Sequence, residues 1–224
     1  MSTQITTYYE IVSRLPEDAS VTFRDVTWDE YEELLEQVGE APGLRISYDN
    51  GSLQVMTISA EHEKYAQFIN SLIAGIRLRL RMNILAFGSA TIRKRKRRKG
   101  NEPDACFYVQ SASLIGNRVQ LDFESDPPPD IAVEIDVHHD SRSKFPIYAA
   151  LGVPEIWRYD GEEMTIYHLG EDATEHESMY VEQETSAALP MLSAQLLTEM
   201  LERMRRDGEL SALLAFDGWL QSQA

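Results

Sequence analysis

Residues 127–137 read PPPDIAVEIDV, and the fold turns on how this stretch is read. Side chains alternate across a strand, so residues two apart share a face. Ile131, Val133, Ile135 and Val137 then point one way, into a core, while Asp130, Ala132, Glu134, Asp136 and His138 point the other. Three carboxylates and an imidazole on one face of so apolar a strand are costly unless each charge is paired or holds a metal. A second stretch, Asp104 to Val109 (DACFYV), repeats the pattern: Asp104 shares a face with Cys106 and Tyr108, and Ala105, Phe107 and Val109 face the core. If the two strands are neighbours, Asp104 and Glu134 can hold one hard divalent cation between them. Carboxylate oxygens suit Mg²⁺ or Mn²⁺, which keep several waters and share coordination with a substrate phosphate. A water on such an ion is a stronger nucleophile, and a nearby lysine can orient or deprotonate it. Lys144 lies one to two helical turns beyond the strand. The same spacing also suits acids that meet solvent on a one-sided antiparallel sheet, and spacing alone leaves both readings open.

Outward from these strands the chain alternates helix and strand signals. Thr27-Trp28-Asp29-Glu30 has the form of a capping box and opens a helix through about Val38, ended by Gly39 and Ala41-Pro42-Gly43. Residues 44–48 and 52–56 alternate polar with apolar around Asp49-Asn50-Gly51, which predicts a hairpin. The apolar stripe from Tyr65 to Leu80 predicts a helix over about 60–82, followed by a short strand at Ile84–Phe87. A short helix over 141–151, strands at 155–159 and 164–169, and two amphipathic helices, 192–206 and 209–220, complete the chain. Cys106, Tyr108 and Trp157 read as structural.

The chain has 224 residues and a formal net charge of −16, which argues against a general coat for nucleic acid, whose phosphates it would repel. The charge is uneven, however. Arg93, Lys94, Arg95, Lys96, Arg97, Arg98 and Lys99 form an unbroken basic run in the connection leading to Asp104. Either it is a solvated loop that offsets neighbouring acids, or it grips a phosphate backbone at the rim of the site without reading sequence. One cysteine excludes an internal disulfide and a multi-cysteine zinc site. No apolar run approaches a membrane span, and the opening residues carry no basic region followed by an apolar stretch, so the expectation is a cytoplasmic protein.

Several ordered segments, YDNGSLQVM (48–56) with SAEHEKY (59–65), GSATIR (88–93) before KGNEPDACFYV (99–109), PPPDIAVEIDV (127–137) and SKFPIYAALGVPEIWRYDG (143–161), resemble the Uma-type endonuclease family, a branch of the PD-(D/E)XK superfamily, over roughly residues 20–200. The resemblance implies an α/β (α+β) fold with a restriction-endonuclease-like core: a mixed central sheet flanked by helices, an N-terminal helix and hairpin, and C-terminal helices. It divides the chain into an N-terminal extension (1–20), a nuclease-like domain (21–190) and a C-terminal helical segment (191–224) packed on the core or at a dimer interface. It implies Asp104 and Glu134 as the two metal-binding acids, with Mg²⁺ or Mn²⁺ as cofactor. The lysine normally two residues after the glutamate is replaced by Asp136, and the resemblance moves its role to Lys144 on the following helix. The family also carries a glutamate early in the hairpin; the corresponding place here is near Ser47, which is not an acid. Glu102, His62, Glu63 and Asp136 are supporting candidates, and His138 and His139 are either phosphate contacts or polar loop residues.

The function expected is metal-dependent endonucleolytic hydrolysis of double-stranded DNA by a homodimer with no membrane partner. The alternative is a catalytically inactive nucleic-acid-binding or structural protein that retains the nuclease fold.

Overall fold

A computed structural model of the chain describes residues 7–39, 43–170 and 180–223. The short α1 (Tyr8–Val12) and β1 (Ser20–Phe23) come first. α2 (Trp28–Val38) begins at the capping box read from sequence, with Thr27 accepting from the Glu30 backbone and Glu30 accepting from the Thr27 amide at 2.7 Å. Of the residues read as ending this helix, Ala41 and Pro42 lie outside the described ones. β2 (Leu44–Asp49) and β3 (Ser52–Thr57) form the expected hairpin, with Asn50 and Gly51 both at positive φ, as a tight primed turn requires. α3 (Ala60–Arg79) follows, capped by Ser59, and then β4 (Leu85–Ala86).

The basic run departs from expectation. It is not a plain connection but a hairpin of β5 (Ile92–Lys94) and β6 (Lys99–Asn101), joined by a 3₁₀ turn over Arg95–Arg97. Such a segment carries no apolar alternation to announce a strand; its backbone pairing with β2, Ser47 opposite Asn101 and Asp49 opposite Lys99, makes it one. Gly100 allows the close fit, because a Cβ there would collide with the Tyr31 hydroxyl of α2.

Beyond the hairpin come β7 (Ala105–Tyr108), α4 (Ala112–Ile115), β8 (Ile131–Ile135), α5 (Phe145–Leu151) entered through a 3₁₀ turn at Ser141–Lys144, β9 (Glu155–Tyr159) and β10 (Met164–Leu169). β11 (Tyr180–Gln183), α6 (Ala194–Asp207) and α7 (Glu209–Gln221) complete the chain. The strands make two sheets, one in the order β1-β3-β2-β6-β5 and the other β11-β10-β9-β8-β7-β4. The second sheet is mixed: β8 and β9 run parallel, which requires a crossover connection, here α5, and its other pairs are antiparallel.

Both faces of β8 are buried. Ile131, Val133 and Ile135 enter a core with α3, α6 and α7, while Ala132 faces a second cluster built on Ile147, Tyr148 and Leu151 of α5. Glu134, 1% exposed, therefore does not sit on a solvent-facing sheet. A third cluster joins Val12 to Trp28, Tyr31, Tyr48 and Leu53 under the first sheet. The chain passes from one sheet to the other within three residues. The Glu102 amide donates to Ile46 O at 3.1 Å in the first sheet, and the Asp104 amide to Val133 O at 2.9 Å in the second, with Pro103 between. Among the described residues, no helix is long and apolar enough to cross a membrane.

Candidate active site

The seam between the sheets places Asp104. Its Oδ1 accepts from Arg45 Nε at 2.7 Å; its Oδ2 accepts from the Ile135 amide at 2.8 Å and lies 3.1 Å from His62 Nε2. Burial works to raise this carboxyl, but the hydrogen bond and charge of His62, with Arg45 and Lys144, outweigh it and hold the group below its ordinary value. One strand over, Glu134 Oε2 accepts from Lys144 Nζ at 2.8 Å, and Oε1 accepts from the Tyr148 hydroxyl and from Asn101 Nδ2 at 3.2 Å. Burial raises the Glu134 carboxyl; Lys144 pulls it down, and the neighbouring Asp104 charge adds to the rise. Lys144 keeps its proton: burial disfavours its charge, yet Glu134 and then Asp104 push its pKa above the ordinary value.

Arg45, Asp104, Glu134 and Lys144 are all buried, 1–7% exposed. Two anions meet two cations where desolvation of each ion costs several kcal/mol. Strongly perturbed groups of this kind, gathered around one small cavity, mark a functional-site candidate. That cavity, of about 10 Å³, is lined by Arg45, His62, Asp104, Glu134, Asp136 and Lys144 among others, room for about a single water or small ion.

The other candidates separate. Glu63 reaches the site indirectly, 3.6 Å from Arg45 Nη2 and half-exposed. Glu102 is spent on the fold, its oxygens accepting from the Ile46 amide at 2.8 Å and Thr91 Oγ1 at 2.6 Å. Asp136, where the motif lysine would stand, accepts from the Ser141 amide at 2.8 Å and hydroxyl at 3.0 Å and pairs with Arg158, so it anchors the turn that carries Lys144. His138 is exposed and 3.8 Å from Asp18 Oδ2, and His139 Nε2 lies 3.0 Å from Asp18 O. In the basic hairpin, Arg93 and Arg95 pair with Glu32, Arg95 also with Asp29, and Lys99 with Asp49. Lys94 donates to Leu151 O at 3.1 Å, Arg98 lies 3.4 Å from the Tyr48 hydroxyl, and Lys96 and Arg97 are exposed.

Sequence reasoning missed Arg45, Asn101 and Tyr148. Tyr148 had a signal, since it follows Lys144 by four residues on one helical face. Arg45 sits two residues from the Ser47 position already singled out, but nothing local predicts its reach to Asp104.

The donor set fits a hard divalent cation. An ionised carboxylate offers about four acceptor positions; Asp104 and Glu134 each use three. Asn101 Oδ1 and His62 Nδ1 are buried and without a partner among the described residues. No three His, Cys, Asp or Glu side chains converge as a ready cage among those residues; Mg²⁺ is typically held by one or two carboxylates together with waters and substrate phosphates, and the two carboxylates here are Asp104 and Glu134.

Comparison with known proteins agrees with the fold. A crystal structure from Anabaena variabilis, described as "a putative nuclease", aligns with a TM-score of 0.50 at 15% identity, covering 79% of this chain and 99% of that one. No curated protein matches the chain. The family model described as "Putative restriction endonuclease", Uma2, matches residues 28–205, and the chain belongs to that family.

Proposed function

We propose that the chain is an endonuclease that hydrolyses phosphodiester bonds of double-stranded DNA, with Mg²⁺ or Mn²⁺ held by Asp104 and Glu134. The single observation that carries this reading is the buried Asp104–Glu134 pair with Lys144 bonded to it. When bound, the cation supplies positive charge against the scissile phosphate and makes water a better nucleophile. The chain's own residues do the rest. Arg45 and His62 fix the orientation of Asp104, and Tyr148 and Asn101 fix that of Glu134. Lys144, charged at neutral pH, holds a water or phosphate oxygen and does not take its proton. The basic hairpin holds the phosphate backbone, with Lys96 and Arg97 the most available of Arg93–Lys99. Two copies in the cytoplasm, one on each strand, complete the proposal.

A second reading, a nucleic-acid-binding protein without turnover, is favoured by the charge balance itself: each acid already carries a protein cation. Supercoiled plasmid incubated with Mg²⁺ or Mn²⁺ separates the two. Metal-dependent nicking that EDTA, Asp104→Ala and Glu134→Ala each abolish is the expected result. An intact plasmid that is nevertheless shifted in a gel selects the second reading.

A further inference from the structure

Thr22 on β1, Gln54 on β3, Ser47 on β2 and Asn101 on β6 stand opposite one another in register, an uncharged polar row across the first sheet. Arg45, two residues from Ser47 and so on the same face, reaches Asp104 at 2.7 Å, and Asn101 Nδ2 reaches Glu134 at 3.2 Å. The face that carries the row therefore looks onto the acid pair. The row descends from solvent: Thr22 is exposed, Gln54 half-buried, Ser47 5% exposed and Asn101 wholly buried. Gln54 Nε2 donates to Ser20 Oγ at 3.2 Å, but the Ser47 hydroxyl meets Gln54 Oε1 only at 3.5 Å. That is the outer limit of a hydrogen bond, which leaves a buried hydroxyl poorly satisfied by the chain itself.

A pocket of about 490 Å³ opens over this part of the sheet, lined by Thr22, Ser47, Ser52, Gln54, Ser143 and Lys144 among others. The carboxylate at its wall, Asp49, is paired with Lys99. Lys144 points independently to a ligand. It is 6% exposed, and Glu134 Oε2 is its one hydrogen-bond acceptor among the described residues, whereas an ammonium carries three donors. A buried cation with donors to spare, beside a cluster of hydroxyls and an amide, is the chemistry that receives a phosphate oxygen.

We propose that this pocket seats the sugar–phosphate backbone of the cleaved strand beside the scissile phosphate, with Thr22, Ser52 and Gln54 donating to its oxygens and Lys144 standing between it and the acid pair. The inference rests on the nucleic-acid reading of the acid pair and adds a neutral grip over β1, β3 and β2, at the end of the sheet opposite the basic β5–β6 hairpin. Backbone oxygens lie on the outside of a duplex, so the strand is held without unpairing.

The test titrates a short labelled DNA duplex into full-length protein in EDTA at a series of salt concentrations. Thr22→Val with Ser52→Ala is expected to weaken binding about tenfold at every salt concentration. The slope of log affinity against log salt stays unchanged, because a hydroxyl releases no counterion, whereas Lys96→Glu flattens it. Gln54→Glu, which sets a carboxylate against the phosphate, is expected to weaken binding more than tenfold, and Thr22→Ser with Ser52→Thr, which keeps both hydroxyls, to bind as the parent does. Parent affinity in the Thr22→Val/Ser52→Ala and Gln54→Glu proteins overturns the pocket and leaves the acid pair's reading standing. An equal loss in Thr22→Ser/Ser52→Thr makes the effect one of packing and overturns it too. Failure of the parent to bind the duplex also overturns it, and only if plasmid stays intact with Mg²⁺ and Mn²⁺ as well does the reading of the acid pair fall with it.

Discussion

At the acid pair, Lys144 meets Glu134 at 2.8 Å with side chains 7% and 2% exposed; at the basic hairpin, Arg95 meets Asp29 at the same distance with side chains 54% and 81% exposed. The contacts are alike and the surroundings are not. Exposed pairs of the second kind contribute about 0–1 kcal/mol, because water serves each ion nearly as well as its partner does. The first pair has left water, and well-packed apolar residues in its place are often as stabilising or more so. A chain that buries Asp104, Glu134, Arg45 and Lys144 together gains little stability by doing so, which is the physical reason to look for chemistry there and for binding at the hairpin.

Lys144→Met strands Glu134 in the interior. Urea unfolding in EDTA is expected to show a loss of about 3–5 kcal/mol, with much of it recovered when Glu134→Gln is added. A loss under about 1 kcal/mol would place the buried pair with the surface ones. Tyr148→Phe removes one donor to the same carboxylate and is expected to cost about 1–3 kcal/mol, read from the same transition. Arg95→Ala, which removes the contacts to Asp29, Glu32 and the Trp28 face, is expected to change stability by about 1 kcal/mol or less; a larger loss would make the hairpin a structural strut.

The sequence was most legible where burial imposes a period. The alternation in 131–135, the capping box at Thr27 and Glu30, the Asn50-Gly51 hairpin and the stripe of α3 all stand in the structure as read. Short edge strands were not legible: β1, with its half-exposed pattern, is a strand through β3, well downstream in sequence, and β5, with one buried residue, is a strand through its hairpin partner β6 inside a charged run that shows no apolar alternation. At the site the two acids stood out as charges on an apolar strand. Arg45 did not: within Leu44–Asp49 it reads as the polar face of a hairpin, and only the passage of the chain between sheets at Pro103 carries Asp104 to it, 59 residues on. Asn101 was hidden for the same reason, its neighbours being set by β2 and β5.

Asp104 and Glu134 are proposed to share one divalent cation, and calorimetric titration of Mn²⁺ into the parent, Asp104→Asn and Glu134→Gln proteins, each first checked for folding by circular dichroism, addresses that directly. One site per chain in the parent, lost in both variants, is the predicted result. Mn²⁺ uptake that is absent from the parent, or equally strong in the variants, would contradict the account.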